Sequence, residues 1–422
     1  MKETVEQVVE RALVVGLLLP RDDRWEAEES LRELERLAST AGAQVVDRIL
    51  LGRDKISPGT FMGSGQAEEL GARCRAEEIT LLLIDHELSP VQGRNLERLL
   101  EGRVLDRTEV ILDIFSQRAR TREGMLQIEL AQLEYLLPRL TRMWTHLSRQ
   151  KGGIGLRGPG ETQLEVDRRK IQDRIIRLNK ELADVRRSRT VQRSGRRRLQ
   201  SPIVALVGYT NAGKSTLLNR LTGSDVNAED KLFATLDPTT RMLKLPGYER
   251  VLLTDTVGFL RRLPHGLIEA FRATLEEVVE ADILVHVIDA SHPEMDAQVT
   301  AVEAVLEELG AADKPTIHVL NKIDCVDEPA TMDAVRRRFS HGVLISARTG
   351  EGLAQLEELL QVVLGQERVP MMLRLPPDRS DLIAKIHRHG TVVSKSFLDS
   401  DVIMEVRVSR ELVPELEAFI QR

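Results

Sequence analysis

Apolar runs and helical stripes alternate along the first quarter of the chain. Leu13–Leu19, Gln44–Leu51 and Ile79–Ile84 are short and apolar-rich, the pattern of buried strands. Glu26–Ala41, Gln66–Glu77 and Ser89–Leu100 carry apolar positions at helical spacing. Strands alternating with helices predict a mostly parallel sheet over residues 1–115. From about Thr121 the period changes. Leu126, Leu130, Leu133, Leu137, Leu140, Trp144 and Leu147 step by alternating fours and threes, one seam of a coiled-coil helix. A second seam follows at Leu164, Ile171, Ile175, Leu178, Leu182 and Val185, and the segment between, Lys151–Gly160, is rich in glycine. Two long helices around a short glycine-rich segment predict an antiparallel hairpin over 116–190 with that segment at its tip. At 1.5 Å per residue each arm is roughly 35–40 Å long. Pro138 lies inside the first seam and either kinks that helix or ends it.

The pattern returns to strand and helix over 201–366. Pro370–Pro377 reads as a linker, and 367–422 as a small α+β domain with strand-like runs at Gly390–Phe397 and Asp401–Val408. The fold class is therefore α/β: two α/β domains separated by a helical hairpin, with an α+β tail.

Composition changes this picture in three places. At 42% hydrophobic and 30% charged residues, the chain can bury cores and is not disordered as a whole. With only 3% aromatic residues, base-stacking surfaces are not its main device. Its two cysteines, Cys74 and Cys325, predict neither a disulfide framework nor a zinc site. The apolar run Ala12–Leu19 is too short to span a bilayer and reads as a buried strand, in keeping with cytoplasmic residence, loose membrane association being left open.

Charge is distributed unevenly. The net charge is -6, yet residues 117–200 alone carry +12, so the remainder carries -18. A basic arm on an acidic protein is an electrostatic footprint for a polyanion such as RNA. The alternative is a solvated hairpin whose charges serve solubility. The run Arg186–Arg198 reads as a flexible basic linker, with 191–200 joining hairpin to nucleotide domain.

The candidate chemistry lies downstream. Ile203–Val207 is a short apolar strand, followed by Gly208, Tyr209, Thr210, Asn211, Ala212, Gly213, Lys214, Ser215 and Thr216, then by a helical run. Strand, glycine-flanked loop and helix are the context of a phosphate-binding loop. Its backbone N–H groups curl around phosphate oxygens, with Lys214 reaching the β- and γ-phosphates and Ser215 offering its hydroxyl to Mg2+. This motif alone does not choose between ATP and GTP; three later segments do. Val251–Asp255 is a strand ending in Asp255, and Gly258 completes Asp-x-x-Gly, suited to water-mediated Mg2+ contact and to sensing the γ-phosphate. Thr316–Leu320 leads into Asn321, Lys322, Ile323 and Asp324, whose carboxylate matches the N1–H and 2-amino donors of guanine. Val343–Ile345 leads into Ser346, Ala347 and Arg348, whose backbone can cover guanine O6. In this order, each at the carboxyl end of a strand, these segments predict GTP/GDP binding.

The same order resembles the translation-factor-related GTPases. Phe233-Ala-Thr-Leu-Asp-Pro-Thr-Thr240 and Asp255-Thr-Val-Gly-Phe259 are similar to the Obg–HflX group. Gly153-Ile-Gly-Leu-Arg-Gly-Pro-Gly-Glu-Thr-Gln-Leu-Glu165 narrows the resemblance to the HflX family, and Gly63–Leu70 and Ile84–Pro90 agree with its N-terminal domain. The resemblance implies a GTPase that binds the large ribosomal subunit and 70S ribosomes, and splits or keeps apart the subunits under stress. It implies contact between ribosomal RNA and the hairpin tip, here Gly153, Gly155, Arg157, Gly158 and Gly160, and a monomer off the ribosome. It also places Phe233, Ala234 and Thr235 in a switch segment. Thr235 would bind Mg2+ and the γ-phosphate, with Thr239 or Thr240 as alternatives. Lys214, Thr235 and Gly258 would form the catalytic set.

Where many GTPases carry a water-orienting Gln, this chain has Phe259, as the family has a hydrophobic residue; slow intrinsic hydrolysis, stimulated by a partner, is expected. Gln66 stands where the family often has Lys, so Gly63 and Gly65 read as a turn before a helix rather than a phosphate cradle. Asn211 resembles the loop Asn of potassium-activated GTPases, and either helps hold K+ or stabilises the loop. His86 reads as a surface or capping residue. Glu161 and Glu165 read as acidic residues favoured at a helix N-terminus.

Overall fold

The computed structural model describes residues 10–143, 163–198, 201–224, 232–245, 248–261, 275–366, 368–398, 401–409 and 412–421. The chain divides into two compact units. One is built on Met1–Val185 and includes Asp230–Leu236; the other includes Arg186–Glu229, Asp237–Arg261 and Ala273–Arg422.

The first unit contains a parallel sheet in the order β2-β1-β3-β4, from β1 (Arg11–Leu18), β2 (Gln44–Gly52), β3 (Leu81–Ile84) and β4 (Arg103–Asp106). Helices α1 (Arg24–Ala41), α2 (Ser64–Ala76) and α3 (Pro90–Leu100) lie where the apolar periodicity puts them. The Asp23 side chain accepts from the Glu26 N–H at the start of α1, and Ser89 with Gln92 forms a capping box at α3. At α2 the Gln66 side chain accepts from the Gly63 N–H, so these residues form a helix start, as read from the sequence.

Strand β4 runs directly into helix α4 (Arg107–Arg118). Their junction holds a buried charge cluster. The Arg107 guanidinium donates to Asp85 at 2.9 Å and also to Glu33. Asp106, fully buried, caps α4 through the Glu109 N–H and accepts from the Leu88 N–H and from Arg139. Burial pushes the Glu109 carboxyl up to about 7, with Asp106 adding to the shift and Arg139 opposing it.

Arg139 belongs to α5 (Arg122–Met143), which pairs with α6 (Gln163–Arg198). Leu126 and Leu130 pack with Leu178 and Leu182, flanked by Leu133, Ile175 and Val185. Burying each such leucine is worth roughly 1.5–3 kcal/mol. Arg174 reaches Glu129 with two bonds of 2.7 Å; so exposed a pair sets register more than stability. The antiparallel pairing is the one expected. Pro138 does not end the helix: α5 continues to Met143. The basic segment read as a linker is corrected. Arg186–Arg198 is helical, because arginine is a good helix former and a single glycine, Gly195, does not outweigh seven arginines.

The second unit holds a six-stranded sheet, order β10-β9-β8-β5-β7-β6, made of β5 (Ile203–Val207), β6 (Thr239–Leu245), β7 (Tyr248–Asp255), β8 (Ile283–Asp289), β9 (Thr316–Asn321) and β10 (Val343–Leu344). All pairs are parallel except β6 with β7. The central strands are apolar on both sides, as a covered parallel sheet requires. An antiparallel sheet follows, order β11-β13-β12, from β11 (Arg368–Leu375), β12 (Gly390–Leu398) and β13 (Asp401–Ser409). Most of the stretch read as a linker is strand β11, and Pro370 is tolerated there because β11 is an edge.

Candidate functional site

The site forms where β5, β7, β9 and β10 end. Between β5 and helix α7 (Lys214–Thr222), the chain wraps through Gly208–Gly213. Gly213 has φ +95°, and a Cβ there would meet the Asn321 amide nitrogen at 2.3 Å, so only glycine fits. The Lys214 ammonium is buried and donates to the carbonyls of Gly208 (3.0 Å) and Tyr209 (2.8 Å). Burial pushes it down to about 8, against the pull of Asp255. Ser215 donates to the Asp255 carboxylate at 2.6 Å. Thr210 has a buried hydroxyl without a partner among the described residues.

The segment after β7 lies against this loop. Thr210 N–H donates to the Phe259 carbonyl (2.8 Å) and Phe259 N–H to the Gly208 carbonyl (3.1 Å). A Cβ on Gly258 would fall 2.8 Å from both Cα and Cγ2 of Thr210 and 3.1 Å from the Lys214 nitrogen. Gly258 is thus a place of close approach beside the lysine. Phe259 is buried, as its lack of polar atoms demands.

A second cluster closes the site at β9 and β10. Asn321 donates to the Ala212 carbonyl (2.8 Å) and accepts from the Ala347 N–H (2.9 Å), tying the loop to the segment after β10. A hydrogen bond from the Ser346 hydroxyl holds the exposed Asp324 carboxyl below its usual range, with its own backbone adding. Lys322, at φ +65°, pairs with Asp289 at 2.7 Å. Asp289 was not singled out in the sequence; its position at the end of a strand was the available signal. Arg348 is exposed, and its carbonyl accepts from Arg220. Asn211 is exposed at φ +62°, and Thr216 is half-buried in the first turn of α7.

Thus the second unit brings Lys214, Ser215, Asp255, Gly258, Asn321, Asp324 and Ser346 to one end of its sheet. Phe233, Ala234 and Thr235 belong to the first unit, where the buried Phe233 ring meets Phe115 edge-on at 4.5 Å. The Thr240 hydroxyl lies 3.0 Å from that of Thr254 on the neighbouring strand. The tip residues Gly153, Gly155, Arg157, Gly158 and Gly160 lie outside the described residues, as does Glu161. Glu165 does stand in the first turn of α6, and His86 packs against Phe61.

Comparison with known proteins agrees with this geometry. Residues 28–116 match the family described as GTP-binding GTPase N-terminal, 118–196 the GTP-binding GTPase Middle Region, and 203–322 the 50S ribosome-binding GTPase family. GTPase HflX of Lacrimispora saccharolytica is 49% identical over 416 residues, covering 99% of this chain and 96% of that one. GTPase HflX of Escherichia coli is 45% identical over 405 residues, covering 96% and 94%. A crystal structure of SsGBP in complex with GDP is 26% identical with a TM-score of 0.50, covering 85% and 99%. A chain with this loop, this guanine-side cluster and these full-length relatives binds and hydrolyses GTP, and it belongs to the HflX family of GTPases.

Proposed function

We propose that this GTPase is a ribosome-associated factor that binds the large subunit through its basic hairpin and splits the ribosomal subunits or keeps them apart. The observation that carries the reading is the hairpin itself. Its arms pair by apolar side chains, its first arm is held by Arg139 on Asp106, and it lies within a segment of net charge +12. Such a segment concentrates positive charge in an otherwise acidic chain, which suits ribosomal RNA. The family description of residues 203–322 as a 50S ribosome-binding GTPase supports the same partner. Among the described residues no helix is long and apolar enough to cross a membrane.

At the nucleotide, Lys214 pairs with the β- and γ-phosphates, Gly258 N–H meets the γ-phosphate, and the Asp324 carboxylate accepts from guanine. The backbone of Ser346, Ala347 and Arg348 covers its O6. The Ser215 hydroxyl and Asp255 carboxylate, 2.6 Å apart, are hard oxygen donors that fit Mg2+. They would hold it. When bound, the ion neutralises charge between the β- and γ-phosphates. Phe259 has no group to orient water, so hydrolysis is slow until the ribosome stimulates it. Asn211 supports K+ beside the phosphates; equal turnover in K+ and Na+, with Asn211→Ala silent, would remove the cation from the scheme.

Lys214 gives a pH dependence. Its folded value, about 8, lies below the ordinary 10.5, so the unfolded chain binds more protons between the two. The nucleotide-free protein therefore gains stability as pH rises across that window. Phosphate binding needs the ammonium and has the opposite sign. GDP affinity is expected to be level below about pH 7 and to fall above pH 8, approaching about tenfold per unit. Calorimetric titration from pH 6.5 to 9.5 measures this, and a flat profile to pH 9.5 contradicts it.

The partner is tested by GTP turnover with and without purified large ribosomal subunits, using the whole chain and a variant lacking Gly152–Gly160. The expected result is a stimulation that weakens when the tip is removed. No stimulation eliminates the large subunit as activator.

A further inference from the structure

We propose that Tyr209 is a positioning residue for GTP hydrolysis, its hydroxyl holding the segment after Asp255 across the phosphate loop. This goes beyond the loop's role as a phosphate cradle, to which Tyr209 contributes its backbone. The Tyr209 side chain is buried, and its hydroxyl accepts the Arg261 N–H at 2.9 Å. Arg261 is held again at its other end, where its guanidinium donates to the Glu294 carboxylate at 3.0 Å. The Glu294 side chain is only 3% exposed. Two further bonds join the same strips of chain, Thr210 N–H to the Phe259 carbonyl and Phe259 N–H to the Gly208 carbonyl.

Gly258 therefore sits between two anchors. On one side is the end of β7, where Asp255 bonds Ser215; on the other are the Phe259 and Arg261 bonds to the loop. This matters because position 259 carries no water-orienting side chain. With Phe259 buried and apolar, the γ-phosphate side of the reaction depends on backbone groups whose positions must be set by something else. The outermost tie is the Tyr209 hydroxyl; unlike the two backbone bonds beside it, a side-chain substitution can remove it without touching the backbone. A part-buried amide left without this acceptor moves or opens to water, and Gly258 moves with it.

The test is Tyr209→Phe, which deletes the hydroxyl and keeps the ring. Turnover under saturating GTP and Mg2+ is expected to fall about tenfold, with GDP affinity changed by less than about twofold and the Arg261 amide exchanging about tenfold faster. Glu294→Gln is expected to lower turnover in the same direction by about threefold. The double variant should be no slower than Tyr209→Phe alone, because both act through Arg261. The proposal is overturned by unchanged turnover or unchanged Arg261 exchange in Tyr209→Phe. A parallel loss of GDP affinity also overturns it, since that marks a defect of the loop itself. It rests on assigning Gly258 to the γ-phosphate, which Gly258→Ala tests separately: if that variant is silent the assignment fails, whatever Tyr209→Phe does.

Discussion

Asp324→Asn is expected to weaken GDP and GTP binding on the order of 10^3-fold while leaving the fold intact. The Asp324 carboxylate is held charged by the Ser346 hydroxyl and is exposed at the end of β9. A guanine ring presents two donors, N1–H and the 2-amino group, and a carboxylate accepts from both. An asparagine turns one of its two atoms into a donor, so one pair becomes donor against donor. Xanthine carries a carbonyl where guanine carries the amino group, and XDP should bind the variant better than GDP does. The loop itself is held by Asn321, which bonds Ala212 and Ala347 independently of Asp324. The melting temperature should therefore stay within about 2 °C of the parent. Titration with GDP, ADP and XDP reads the result. Unchanged GDP affinity would mean that the base is recognised elsewhere.

The second large effect is expected at Gly258. An alanine Cβ would lie 2.8 Å from the Thr210 backbone, which cannot rotate away, and 3.1 Å from the Lys214 nitrogen. The segment must shift by several tenths of an ångström, and a displaced donor at the γ-phosphate is costly. Single-turnover hydrolysis is expected to fall about 10^2-fold. GDP lacks the γ-phosphate, so its affinity should change by less than about threefold, which separates a lost switch from a lost binding site. Full hydrolytic activity in Gly258→Ala would show that the segment has room the static geometry denies.

Much of this was legible in the residues, and the exceptions have causes. Strands β1 and β3 were readable as unbroken apolar runs because both their faces are buried, and helices α1 and α3 from the apolar stripe each buries. The pair β4 and α4 was not. Arg103–Asp106 is four residues long and half of it is charged, so no local pattern separates it from a turn. It is a strand because the edge of β3 is there to pair with it. Pro370 made an edge strand look like a linker, and Arg186–Arg198 made a helix look like one, because proline and dense charge are weak signals without their neighbours.

The nucleotide segments were legible for a different reason: their chemistry is local. A phosphate loop, an Asp-x-x-Gly and an Asn-Lys-x-Asp each work with residues a few positions apart, so order and spacing name the ligand. By itself the sequence determined the GTP chemistry, the basic arm and the α/β class, since these rest on short-range spacing and on charge sums. Only the tertiary structure decided what joins the segments. Asn321 spans from the loop to Ala347, Tyr209 receives Arg261, Arg107 is buried between Asp85 and Glu33, and Arg139 ties the hairpin to Asp106. Each pairs residues far apart in the chain, or brings a side chain onto a backbone group, and hydrogen bonding between distant groups leaves no periodic trace in the order of the amino acids.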